Sequence, residues 1–293
     1  MKDRRSFRIN VDYDHAVRVR WTPDGSALVV FKYNEGRIEF YKVDKVGNWF
    51  QNPTKQSSFP RAHTDDIVGF GVAPSGKYLI TCTNKTEMVV WDAHGNVLEK
   101  IDTFLINTYS AKISPCGKFI AACGFTSDVP IWEVRFDKSG EFQSVQKAFN
   151  LNGHKAGIFD IAFDRDTSKA VTVCKDGTWK IFNINIEYYK GESARCLKSG
   201  TYEQTSAAAL VAISPLGKVV AIATGKSIQI FSVSSGSLEG TIENVCLGQI
   251  TAIKFDPTGK CLLVCADRYI RIFHNIPEFK TALEIPEGRL KQT

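Results

Sequence analysis

The sequence has no run of eighteen apolar residues, so no stretch of it qualifies as a membrane-spanning helix. Its start, MKDRRSFRINVDYD, carries basic residues with no apolar segment behind them and does not read as a secretory signal. The cysteines form no CxxC pair. Cys82, Cys123, Cys174, Cys261 and Cys265 sit inside apolar runs, where they act as small hydrophobes of a reducing compartment and need no disulfides. The signatures of chemistry are missing as well. His15, His63, His94, His154 and His274 are spread along the chain without HExxH spacing, and there is no GxSxG elbow, Walker loop or helix-opening GxGxxG. The expectation is a protein without catalytic residues, metal, cofactor or small-molecule substrate. Asn84-Lys85-Thr86 fits the glycosylation sequon, but on a chain with no secretory signal it stays unmodified.

What is present is a soluble composition: 293 residues, 43% hydrophobic and 23% charged, enough for a large core in one all-β domain or two smaller ones. The net charge of +6 has its signs interspersed, which suits acidic partners without demanding nucleic acid.

The stretch Asn152 to Asn183, NGHKAGIFDIAFDRDTSKAVTVCKDGTWKIFN, organises the rest. Three short apolar segments alternate with polar turns, and Asp176-Gly177 suits a two-residue hairpin, so the stretch is an antiparallel meander. Such a unit cannot bury both faces alone and needs neighbours like itself. They exist. The turn between first and second strands recurs as TPDGSAL from Thr22, APSGKYL from Ala73, SPCGKFI from Ser114, DRDTSKA from Asp164, SPLGKVV from Ser214 and DPTGKCL from Asp256. Aligning Gly25, Gly76, Gly117, Ser168, Gly217 and Gly259 gives steps of 51, 41, 51, 49 and 42 residues. A period of forty-odd residues with four strands per unit is that of propeller blades. Each unit also carries an aromatic close to the end of its third strand: Phe40-Tyr41, Trp91-Asp92, Trp132-Glu133, Phe182-Asn183, Phe231-Ser232 and Phe273-His274. The six units run over residues 11–45, 62–101, 104–150, 152–190, 205–243 and 246–280, with 281–293 as a tail, all in a single propeller spanning 1–293. Gly69 and Gly71, inside the strand pattern IVGFGVA, mark close packing between units.

On these motifs the chain resembles the WD-repeat family of β-propellers over nearly its whole length. In that family a His, a strand Ser or Thr, a turn Asp and a Trp form a hydrogen-bonded tetrad. The resemblance assigns those roles to His154, Thr172, Asp176 and Phe182 in the fourth unit, where Phe182 cannot donate. In the second unit His63 and Trp91 match, but Lys85 stands where the Asp belongs, so a polar pin in every blade is not expected.

Ser114 to Val134, Lys175 to Lys190, Val11 to Asp24 and Asp267 to Asn275 are similar to one endoplasmic-reticulum-anchored branch of the family. That likeness implies a monomeric, non-enzymatic scaffold on the cytosolic face of the endoplasmic reticulum, or a cytoplasmic one if the anchor is truly lacking. It implies a role in the unfolded-protein response through a stress kinase of PERK type. The alternative it implies is RNA binding that acts on the translation of stress transcripts.

Members of the branch carry a membrane anchor and a seventh unit ahead of the point where this sequence starts. Leaving a blade out of a seven-unit ring exposes two faces. At about 300 Å² each and about 25 cal/mol per Å², that costs roughly 15 kcal/mol. The expectation is therefore a six-blade closure, a truncated form, or a partner in the gap.

The turns between second and third strands emerge on one face of such a ring and carry Lys85, Lys175, Lys226 and Arg268, a broken basic ring suited to acidic segments or RNA phosphates. Asp44 to Ser58, with Trp49, is either a contact loop or a solvated linker. Asn185 to Gln204 holds a fourth strand and an interblade loop, and the tail from Ile276 supplies a last strand or lies against the rim.

Overall fold

A computed structural model describes residues 9–275 and 277, apart from 12, 48 and 62. The tail from Ile276, Pro277 aside, lies outside the described residues, as does the start of the second unit at Ala62. The chain is almost entirely strand, arranged as six sheets in a β-propeller.

The first sheet has the order β1 (Ala16–Trp21), β2 (Ala27–Lys32), β3 (Ile38–Lys42), β6 (Thr54–Ser58), with a small ribbon of β4 (Lys45–Val46) and β5 (Trp49–Phe50) between its last two strands. The Asp44–Ser58 insertion is thus neither contact loop nor plain linker throughout, because its second half is the sheet's fourth strand. The second sheet is β7 (Ile67–Val72), β8 (Tyr78–Thr83), β9 (Glu87–Asp92) and β10 (Val97–Asp102). The third is β11 (Thr108–Ile113), β12 (Phe119–Gly124), β13 (Val129–Phe136) and β14 (Phe142–Leu151). The fourth is β15 (Ile158–Phe163), β16 (Lys169–Cys174), β17 (Thr178–Asn183) and β18 (Arg195–Thr201), the last reached through a 3₁₀ turn at Tyr188–Lys190. The fifth is β19 (Leu210–Ile213), β20 (Val219–Thr224), β21 (Ser227–Ser232) and β22 (Leu238–Ile242). The sixth has three strands among the described residues, β23 (Ile250–Phe255), β24 (Cys261–Ala266) and β25 (Tyr269–His274).

The repeated turn works as its chemistry implies, with one correction. Gly25, Gly76, Gly117, Gly217 and Gly259 take φ between 66° and 75°, and each donates its N–H to the carbonyl three residues back. In the fourth sheet that position belongs to Thr167 (φ 55°, bonded to the Asp164 carbonyl), not to Ser168. A β-branched residue resists this conformation. The Asp164 carboxylate accepts from the N–H groups of Ser168 and Lys169 and from the Ser168 hydroxyl at 2.6–2.9 Å, and the Thr167 hydroxyl accepts the Cys116 N–H from the turn of the third sheet at 3.1 Å. The Asp176-Gly177 hairpin also differs. Three residues, Lys175 to Gly177, join β16 to β17, and Gly177 closes the turn at φ 80°.

The core is divided into layers. Five clusters each fill the space between two successive sheets, for example Val29, Phe31, Phe70 and Trp91 between the first and second. At the second interface a Cβ on Gly69 would lie 2.5 Å from the Cβ of Ala111 in the next sheet, so the glycine sets the spacing. Nearer the axis Lys112 on β11 reaches both oxygens of buried Asp160 on β15 (2.8 and 2.9 Å), and Asp160 accepts the N–H of Val211 on β19 at 3.1 Å. That one carboxylate ties three inner strands. No cluster of the described residues joins the sixth sheet to the first. Leu28, Val30, Tyr41 and Val43 form a separate group on the first sheet, and Ile270 and Ile272 on the sixth are 68% and 64% exposed.

Candidate functional site: the loop face and its polar pins

Antiparallel order places the connections between second and third strands at the same end as those between sheets. Backbone bonds fasten the two sets together. The Thr108 N–H reaches the Asn84 carbonyl, the Phe125 N–H that of Asn107, the Lys175 N–H that of Gly157 and the Ile250 N–H that of Gly225, at 2.8–3.0 Å. These loops form the face on which the four basic residues fall.

Beneath it lie two polar pins. In the second sheet His63, 3% exposed, sits 2.6 Å through Nε2 from the Thr81 hydroxyl, which also accepts the Trp91 indole N–H at 2.9 Å. Its Nδ1 lies 2.7 Å from a Glu87 oxygen. The network is consistent with Thr81 donating to Nε2 and Nδ1–H donating to Glu87, a neutral ring. Burial pushes the His63 pKa below its ordinary value and outweighs Glu87, which raises it. The pin is therefore complete despite Lys85, because the carboxylate comes from the first residue of β9 and not from the turn. In the fourth sheet His154 Nε2 is 2.7 Å from the Thr172 hydroxyl, and Nδ1 is 3.1 Å from the Thr178 hydroxyl, which donates to Asp176 at 2.5 Å. Thr178 thus stands between His154 and Asp176. Phe182 is buried at the position equivalent to Trp91 and contributes packing only. Burial drives the His154 pKa down to about 4. In the other four sheets the residue equivalent to Thr81 and Thr172 is Val30, Ala122, Ile222 or Val264, all buried, so no such hydroxyl exists there.

Side-chain donors of His154, Cys174 and Asp176 lie within 4.8 Å of one another. They are committed elsewhere: both His154 nitrogens face threonine hydroxyls, Asp176 accepts from Thr178, and the Cys174 thiol faces the Ala156 carbonyl at 3.2 Å. Two surface clefts, of about 400 and 550 Å³, lie away from these pins. The one carboxylate lining the first, Glu133, is held by Arg135 (2.7 Å) and Lys118 (3.1 Å). Burial raises the pKa of Glu133, but Arg135, Tyr188 and Lys118 together bring it below its ordinary value.

The basic residues differ in what they do. All four are exposed. Lys85 pairs with Asp65 at 2.8 Å, and that bond raises its pKa. Lys175 donates to the Tyr109 hydroxyl at 2.7 Å. Lys226 and Arg268 have no ion-pair partner among the described residues.

The sequence reading missed the apolar residues of this face. Phe104 and Ile106 are 78% and 65% exposed, and both have left-handed backbones (φ 55° and 62°), while Leu105 between them is buried in the core. Phe125 is 55% and Leu247 88% exposed in neighbouring loops. The available signal was the apolar run Phe104-Leu105-Ile106 in a connection, where turn residues are ordinary.

The radial sheets, the repeated turn and the two pins define a WD-repeat β-propeller, a scaffold-type fold, and the chain belongs to that family. The family described as "WD domain, G-beta repeat" matches residues 145–183 and 236–274. The chain is similar to transducin beta-like protein 2 of Homo sapiens, with 39% identity over 295 residues, 99% of this chain and 66% of that protein. It is 38% identical to transducin beta-like protein 2 of Mus musculus over 293 residues, again 99% of this chain and 66% of the relative. It therefore spans 66% of the length of these relatives. Among the described residues no helix is long and apolar enough to cross a membrane.

Proposed function

We propose that this chain is a non-enzymatic interaction scaffold and that the loop face docks a protein partner. One observation carries the reading. Phe104 and Ile106 project into solvent from left-handed backbone conformations that cost about 1–3 kcal/mol each, and neither exposure nor strain helps the isolated fold. Phe125 continues the patch, since its N–H bonds to Asn107 at the end of the same loop. Exposed Lys226 and Arg268 on the same face suit an acidic or phosphorylated element of the partner.

The finer reading rests on likeness to transducin beta-like protein 2. The partner is a stress kinase of PERK type at the cytosolic face of the endoplasmic reticulum, and the pathway is the unfolded-protein response. Binding of the purified chain to the kinase's cytosolic region is the test. Ile106→Glu, and charge reversal of Lys226 and Arg268 together, each weaken it at least ten-fold without changing the melting temperature. Unaltered affinity in both variants contradicts the docking face. RNA is the second reading, supported by the same unpaired cations. RNA affinity that falls steeply with salt, together with no affinity for the kinase region, decides for it.

A further inference from the structure

Three aromatic rings surround the ammonium of Lys175. Its Nζ lies 4.5 Å from the ring centre of Tyr109, 5.5 Å from that of Phe159 and 5.9 Å from that of Phe125. Tyr109 comes from β11, Phe159 from β15 and Phe125 from the turn after β12, so two sheets build the enclosure and the lysine enters from the turn after β16. Two of the walls pack on each other, and the third is anchored through its backbone. The Tyr109 and Phe159 rings are 6.0 Å apart at 45°, and the Phe125 N–H is bonded to the Asn107 carbonyl. Gly157 lets the turn approach, since a Cβ there would lie 2.9 Å from the Gly124 carbonyl oxygen and 3.1 Å from that of Phe125. The occupant is less constrained. The Lys175 backbone is anchored at its N–H by Gly157 and at its carbonyl by Gln204, but the four-carbon stem is exposed. No carboxylate of the described residues pairs with its ammonium.

We propose that Tyr109, Phe125 and Phe159 form a binding site for a methylated lysine side chain of a partner protein, with Lys175 as the resident occupant that such a ligand displaces. The chemistry of the walls selects this ligand class. Ring faces attract cations, most strongly when little hydration is lost. An unmodified ammonium carries three N–H donors, and the enclosure satisfies one of them, through the Tyr109 hydroxyl. A guanidinium is less hydrated and stacks on rings, but it brings five donors, of which the Tyr109 hydroxyl could satisfy one. A trimethylammonium has none to satisfy and presents its charge directly to the rings. Lys175 holds the place because it is tethered beside it, not because it fits best. The inference is independent of which protein the loop face recruits.

The experiment is an NMR titration of the full chain, labelled in its tyrosine and phenylalanine rings, with free Nε-trimethyllysine as the probe. Parallel titrations use the uncharged isostere, in which carbon replaces the quaternary nitrogen, and an arginine derivative blocked at both ends. Saturable shifts of the Tyr109 and Phe125 rings by trimethyllysine are expected. Affinity rises roughly two- to five-fold in Lys175→Ala, the factor by which an exposed cation–π contact holds the resident lysine. Phe125→Ala, at an exposed side chain, weakens binding while preserving the melting temperature. Absence of saturable shifts in both the natural chain and Lys175→Ala overturns the proposal. So does an isostere that binds as tightly, which marks an apolar cleft, or an arginine probe that binds as tightly or more so.

Discussion

Acid should weaken this propeller through His154 in a way that one substitution isolates. The ring is 7% exposed, both its nitrogens face threonine hydroxyls, and burial lowers its pKa from 6.5 to about 4. The folded state thus resists a proton that the unfolded chain accepts below pH 6.5. This contribution to stability is present in full above pH 6.5, is lost as pH falls, and stops changing below about pH 4. At 1.36 kcal/mol per pKa unit, the loss between pH 7 and pH 5 is about 2 kcal/mol. His154→Gln removes the titration. It costs about 1–3 kcal/mol at pH 7, because buried Thr172 loses its partner, but its stability falls about 2 kcal/mol less between pH 7 and pH 5. Urea titrations of both proteins at the two pH values, followed by tryptophan fluorescence, give the difference. His63 shifts in the same direction and is common to both proteins, so it cancels. If His154→Gln loses as much stability on acidification as the natural chain, the neutral buried histidine is not what the acid attacks.

Gly69→Ala forces a methyl to 2.5 Å from Ala111 at the interface of the second and third sheets and lowers stability by about 1–3 kcal/mol in the same titration. Asp160→Ala strands Lys112 and the Val211 N–H and costs about 2–4 kcal/mol, of which Lys112→Met in the double variant recovers part. Ile106→Gly raises the melting temperature, with a gain of about 1 kcal/mol from the released left-handed strain, while weakening partner capture. A residue that serves only the fold would show the opposite pattern.

Much of this architecture is local and therefore legible in the sequence. Five Pro-x-Gly turns announce themselves because each needs one residue at positive φ, and with the turn at Asp164 their spacing yields six units. The slip from Thr167 to Ser168 has a physical origin: Thr167, whose hydroxyl accepts the Cys116 N–H, takes the left-handed conformation that glycine takes elsewhere, so the turn has no glycine to align on. The second-sheet pin was only half legible. His63 and Trp91 lie at family positions, but the carboxylate of Glu87 arrives from strand β9, and spacing alone points to Lys85. Phe104 and Ile106 were hidden because their exposure follows from how the loop closes over Leu105. The rings around Lys175 come from residues 109, 125 and 159, which only the packing of successive sheets brings together.

A photo-crosslinking amino acid placed at Phe104 and, separately, at Leu216 in the turn at the opposite end of the fifth sheet tests the docking face most directly. In intact cells position 104 should give a discrete adduct that disappears with Ile106→Glu, and position 216 should give none. Equal adducts from both positions, or an adduct from 104 that survives Ile106→Glu, would contradict the claim that the loop face is where this propeller holds its partner.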